Sequence, residues 1–214
     1  MINFEDTIER LAHDVTPAPT TLSPVRAVGL WLAVSIGASI LMMLPMHLRD
    51  DLAAQWHHTL FLLRVTVLLG LIGSICVCAV WLSYPDIRQQ RWILMTPLPF
   101  LALYIALLLY PTALPAPSVQ RVPEVNHGIE CSLCITMFSL IPGLALFLIL
   151  RRYATAHPRL TGTLALLASA SFGHLALQFA EANDSLLHLC LWHVLPILII
   201  GYIGGWLGQK FLSW

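Results

Sequence analysis

The chain reads as an all-α, polytopic membrane protein: a six-transmembrane-helix bundle preceded by a short amphipathic helix. Three observations lead there. Of 214 residues, 58% are hydrophobic and 10% charged, where a soluble domain carries about 25% charged residues. Six apolar stretches each have roughly the 17–25 residues that a bilayer crossing needs. Those stretches are continuously apolar rather than alternating, so the spanning form is helical.

Residues 1–24 form a tail in two parts. Phe4, Ile8, Leu11 and Val15 recur at helical spacing, with Glu5, Asp6, Glu9 and Arg10 between them. A helix of about three turns follows, marginal alone in water. It either lies on its own bundle or the headgroups, or binds a partner and orders on contact. Its acids oppose an anionic membrane surface. Thr16-Pro17-Ala18-Pro19-Thr20-Thr21 cannot continue a helix and reads as an extended spacer.

The bundle occupies residues 25–208, with spans at 25–46, 59–83, 93–110, 131–150, 160–180 and 186–207. The first run is too long for a signal-peptide core and reads as an uncleaved anchor. The longest connection, 111–130, is rich in proline and leads into the fourth span. Pro142 is expected to bend that span. Gly201, Gly204, Gly205 and Gly208 in the sixth span, and Gly29, Ala33 and Gly37 in the first, make small-xxx-small faces that let helices approach closely. Packing within the bundle is their expected use, with a homodimer through these faces as the second option. Residues 209–214 form the C-terminus.

Arginine and lysine set the orientation. Arg10, Arg26, Arg88, Arg91, Arg151, Arg152, Arg159 and Lys210 fall on one side, and only Arg49 and Arg121 on the other. The positive-inside rule then predicts cytoplasmic termini in a bacterial inner membrane. A formal charge of zero gives no global attraction for polyanions, so no direct nucleic-acid partner is expected.

Cys131-Ser132-Leu133-Cys134 opens the fourth span on the outward side. Two thiols at i, i+3 share a helix face, and the free N–H groups and dipole of a helix start favour thiolate. The pattern suits a redox pair, half a metal site or plain packing. His127 is the nearest imidazole in sequence, making His127, Cys131 and Cys134 the candidate metal ligands. His47, His57, His58, His127 and His188 fall at outward connections or span edges, with His174 and His193 in outer helix parts. Individually these read as interfacial histidines. Cys76 and Cys78 read as packing residues, and Cys190 as a thiol that could approach the pair. Arg64 is the one full charge well inside a span, expected to snorkel outward or to pair with Glu124, Glu130, Glu181 or Asp184. No acid lies inside a span, which opposes ion-coupled transport. Soluble-enzyme motifs are absent, and no cofactor is implied.

Three stretches resemble the NrsF family of six-span bacterial anti-sigma factors. They are the tail from Phe4 to Asp14 with Pro17, Pro24-Val25-Arg26-Ala27 and Trp31-Leu32-Ala33; Cys131 with Ile135, Ser139-Leu140, Pro142 and Arg151-Arg152; and Asn183-Asp184-Ser185 with Trp192 and the Gly-rich close. The resemblance implies that the cytoplasmic part holds an extracytoplasmic-function sigma factor at the membrane. A periplasmic redox or heavy-metal signal, sensed through Cys131 and with Cys134 beside it, releases it. Phe4, Ile8 and Leu11 would bind the sigma factor. One departure stands out. The family places a second cysteine just before the acidic loop preceding the last span, and here that region reads Phe179-Ala180-Glu181-Ala182-Asn183-Asp184.

The chain is therefore expected to be a non-enzymatic regulator. A membrane thiol-disulfide oxidoreductase is the first alternative, but it needs a second outward dithiol and only Cys190 remains. A small metal or solute transporter is the other.

Overall fold

The computed structural model describes residues 8–9, 22–84, 91–113, 128–153, 155–183 and 185–213. Every element among them is helical. Helix α1 is Pro24–Met43 and α2 is Thr59–Trp81. A 3₁₀ turn, Arg91–Met95, leads into α3, Pro97–Ala113. Helix α4 is Gly128–Leu150, α5 is Pro158–Leu177, and α6 is Leu186–Phe211. Proline stands at the first turn of α1 and α5, where its fixed φ suits the helix and its missing N–H costs nothing. Of the tail residues Phe4, Ile8 and Leu11, only Ile8 falls within the described residues, helical with Glu9 and 54% exposed.

Among the described residues, six helices are long and apolar enough to cross a membrane. Their outer faces carry the apolar excess. On α4, Leu133, Met137, Leu140, Leu144 and Leu148 are all exposed, recurring at i+3 and i+4 as one stripe. The opposite face, Cys131, Ile135, Phe138, Pro142, Leu146 and Ile149, is buried. A stripe of that kind exceeds what a water-facing surface tolerates and suits a hydrocarbon solvent.

Helix α5 is the axis of the bundle. Within its apolar window 72% of residues are buried, against 17% for the segment containing α3. It is also the least hydropathic span and the richest in small residues, including Gly162, Ala165, Ala168, Ser169, Ala170 and Gly173. Small side chains let neighbouring backbones close in. A Cβ on Gly162 would meet the Gly204 carbonyl and stand 2.6 Å from the Gly208 Cα. A Cβ on Gly173 would stand 2.8 Å from the Ile135 carbonyl of α4. Gly201, Gly204, Gly205 and Gly208 are thus buried against α5. The small stripe of α1 behaves otherwise: Ala33 is exposed, and a Cβ on Gly29 or Gly37 meets nothing within 4 Å. The expected packing of that stripe inside the bundle is corrected, because α1 turns Ala27, Trp31, Ser35 and Ala38 inward instead.

Trp31 is fully buried, its indole N–H donating to the Pro142 carbonyl at 3.0 Å and its ring edge-on to Phe172. At the end of the bundle where α1 begins, the Leu22 carbonyl accepts from Tyr84 Oη at 2.6 Å and from Tyr153 Oη at 2.7 Å. Burial, with Tyr84 beside it, raises the ionisation of Tyr153 above its ordinary range, so that hydroxyl stays a donor. The C-terminal segment is partly structural: Leu212 is 2% exposed and belongs to the main core.

Candidate functional site

The cysteine end of the bundle is built from the start of α4, the α1–α2 connection, the end of α5 and the start of α6. Helix α4 starts at Gly128, so Cys131 lies within the helix rather than at its edge. The expected free N–H groups at Cys131 are therefore corrected: those belong to the residues before it. Gly128 is needed there because a Cβ would run into the Trp192 ring. Cys131 is 4% exposed and Cys134 partly exposed, and both pack in a small cluster with Ile135, Ala170 and Leu177.

Cys131 Sγ lies 3.5 Å from Glu181 Oε2, the donor being the thiol. Glu181 is held from two sides. Its Oε1 accepts the Asn183 amide at 3.0 Å, and its carbonyl accepts from Arg49 Nη1 at 3.2 Å. Arg49 is buried and grips Asp51 through Nε at 2.6 Å and Nη2 at 2.9 Å. Its guanidinium also sits 5.9 Å over the Phe61 ring. The Arg49 hydrogen bonds, with Gln55 adding, hold the Asp51 carboxyl well below the usual carboxylate range. Two loops far apart in sequence are thereby tied beside Cys131.

The start of α6 supplies the imidazoles. Ser185 caps it, its hydroxyl accepting from the His188 amide at 3.3 Å. Leu189–Val194 is then π-helical and runs up to Pro196, one residue beyond its end cap. Proline has no N–H, so the Trp192 carbonyl loses its partner four residues on. Ser132 of α4 takes that carbonyl instead, at 2.9 Å. A π turn bonds i to i+5, which brings His188 and His193 to one side of the helix with ring centroids 5.2 Å apart. One ligand atom from each of Cys131, His188 and His193 lies within 4.8 Å of the others, and all three residues are buried.

Behind His193 runs a polar chain. Its Nδ1 is 2.8 Å from His174 Nδ1, and His174 Nε2 is 2.6 Å from Tyr104 Oη. Both nitrogens of His188, and Nε2 of His193, are buried with no hydrogen-bond partner among the described residues.

The structure therefore redistributes the expected ligands. His127 lies outside the described residues. Cys134 shares the apolar cluster, but the close donor group joins Cys131 to His188 and His193. Those two histidines are buried, at 6% and 1% exposure, and not interfacial as their positions suggested. Cys190, a thiol whose position allowed an approach to the pair, is exposed. Cys76 and Cys78 are buried in packing, with Cys78 Sγ donating to the Ile93 carbonyl at 3.1 Å. Glu124 and Asp184, two acids considered for Arg64, lie outside the described residues. The signal available in the sequence was the spacing His188-x4-His193 ahead of Pro196.

A family model described as "Negative regulator of sigma F" (NrsF) matches residues 11–214. The chain belongs to the NrsF family. The anti-sigma-F factor NrsF of Caulobacter vibrioides (strain NA1000 / CB15N) is 30% identical over 217 residues, covering 98% of this chain and 99% of the relative. No solved structure matches. Membership of the NrsF family gives the chain the regulatory character of an anti-sigma factor. In this NrsF chain, the segment where a second cysteine was expected supplies Glu181, and it is that side chain which meets Cys131.

Proposed function

We propose that this chain is an inner-membrane anti-sigma factor, both termini cytoplasmic, that sequesters an extracytoplasmic-function sigma factor. It releases the sigma factor when a periplasmic redox or heavy-metal signal acts at Cys131. The tail holds the sigma factor through Phe4, Ile8 and Leu11, and the chain performs no catalysis.

One observation carries the reading. Helix α4 bears Cys131 near one end, while Tyr153, just beyond its other end, holds the Leu22 carbonyl where the tail meets α1. Midway, Trp31 of α1 grips the Pro142 carbonyl of α4. A change at Cys131 that shifts α4 is thus delivered to the base of the tail through two hydrogen bonds. Coupling of this kind needs two packed arrangements whose balance the signal biases.

The test is co-purification of the sigma factor from detergent extracts. The full chain should retain it, and a chain lacking residues 1–20 should not. Equal retention by both would remove the tail from the mechanism. Replacement of Cys131 by serine should leave retention intact and abolish signal-dependent release.

A further inference from the structure

We propose that Cys131, His188 and His193 bind one borderline-soft divalent cation of the Zn²⁺ class, with the Glu181 carboxylate beside them. The use of this site as a signal input rests on the anti-sigma reading; the binding itself does not.

The donors come first. One ligand atom from each residue lies within 4.8 Å of the others. In a tetrahedral zinc site, bonds of about 2.0–2.3 Å put donors roughly 3.3–3.8 Å apart. Closing that difference takes a shift of about an ångström, within reach of small side-chain rotations. A thiolate and two imidazoles are the ligand types such a cation selects, and hard cations such as Mg²⁺ or Ca²⁺ take oxygen donors instead.

The vacant valences come second. Among the described residues, His188 is buried with both ring nitrogens unpartnered, and His193 with its Nε2 unpartnered. Buried polar atoms are rarely left so, and each costs about 1–3 kcal/mol. A cation satisfies lone pairs on both rings at once.

The support behind the donors comes third. Binding through His193 Nε2 puts its proton on Nδ1, which donates to His174 Nδ1. His174 then carries its proton on Nε2 and donates to the Tyr104 oxygen at 2.6 Å, an arrangement that requires the Gln178 side-chain amide, 3.3 Å from the same nitrogen, to present its oxygen there. Ligand histidines are oriented by such partners. On binding, the Cys131 S–H bond breaks and its proton leaves for solvent. The thiolate and the Glu181 carboxylate together then balance the dication, and a neutral set is what a poorly hydrated site tolerates.

The test uses the reduced, purified full chain in detergent, without any sigma factor, and Co²⁺ as probe. One equivalent should bind with a thiolate-to-cobalt charge-transfer band, be displaced by Zn²⁺, and raise the melting temperature. Cys131→Ser should remove the band. Loss of an outer-sphere partner costs about 10–100-fold in metal affinity, so His188→Gln should cost at least as much. That variant breaks no ring hydrogen bond among the described residues, and its helical signal and metal-free melting should match the parent. Failure of the folded, reduced chain to bind Co²⁺, or an unchanged band and affinity in both His188→Gln and His193→Gln, would overturn the site. Cobalt binding that leaves sigma-factor retention untouched supports the site and counts only against its role as signal input.

Discussion

The hydroxyl of Tyr153 and the carbonyl of Leu22 meet at 2.7 Å, fastening the far end of α4 to the residue from which α1 departs. Tyr84 reaches the same carbonyl from the end of α2. Either Tyr→Phe change alone leaves the carbonyl one donor and should cost about 0.5–1.5 kcal/mol. The double change leaves it bare and should cost more than the sum of the singles. Hydrogen exchange over residues 22–30 reads the effect. Equal protection in the parent, singles and double would mean that the tyrosines do not anchor the tail.

The crossing of α5 and α6 is sensitive to added volume, because main chain meets main chain there. Gly162→Ala drives a methyl into the Gly204 carbonyl and the Gly208 backbone. Overpacking of this kind costs about 1–3 kcal/mol, and the neighbours are main chain, which yields little. Gly37→Ala has open space and should be neutral or slightly stabilising, since alanine favours the helix by about 0.8–1.0 kcal/mol. Thermal unfolding in detergent should separate the two. Comparable losses would mean that Gly37 has a packing partner after all.

Ser132 and Pro196 form a compensating pair across α4 and α6. Ser132→Ala strips the Trp192 carbonyl of its donor, a loss of about 1–3 kcal/mol. Pro196→Ala restores an amide that can bond the same carbonyl within the helix. In the double variant, part of the Ser132 loss should therefore return. A cycle with no coupling energy would show that Ser132 does not stand in for the amide that Pro196 lacks.

Arg49 and Asp51 make stability depend on acid. The folded carboxyl lies below its ordinary value of 3.8, so the pair's contribution is complete above that value and fades as pH falls toward the lower folded one. Asp51→Asn should lower the melting temperature at neutral pH and flatten its decline below about pH 4. An equally steep acid decline in that variant would place the proton uptake elsewhere.

Much of this fold is legible in the chain because lipid-scale helices announce themselves by length and continuous apolarity. What the stretches do not announce is which one sits in the middle. The lower hydropathy of α5 and its run of Gly, Ala and Ser were the available sign, since a helix wrapped by protein need not satisfy lipid. Cys131 was legible as a site residue, but its neighbours were not. Glu181 arrives from a loop, and His188 and His193 would diverge on a regular α-helix. Only the π turn that accompanies Pro196 makes them converge. The likeness of α1's Gly29, Ala33 and Gly37 to the glycines of α6 misled for a related reason: small-residue spacing tells that an approach is permitted, not that it happens.

The central position of α5 inverts the usual order of tolerance. Most hydrophobic cores accept a larger apolar side chain more readily than a hydroxyl. Along α5 a hydroxyl costs little, because Ser169 donates a hydrogen bond to the Ala165 carbonyl of its own helix at 2.8 Å and asks nothing of its neighbours. Bulk is what cannot be absorbed, since α2, α4 and α6 all lean on the same thin rod. Exchange of alanine for serine along it should pass almost unnoticed, while exchange of alanine for leucine should prise several helices apart at once.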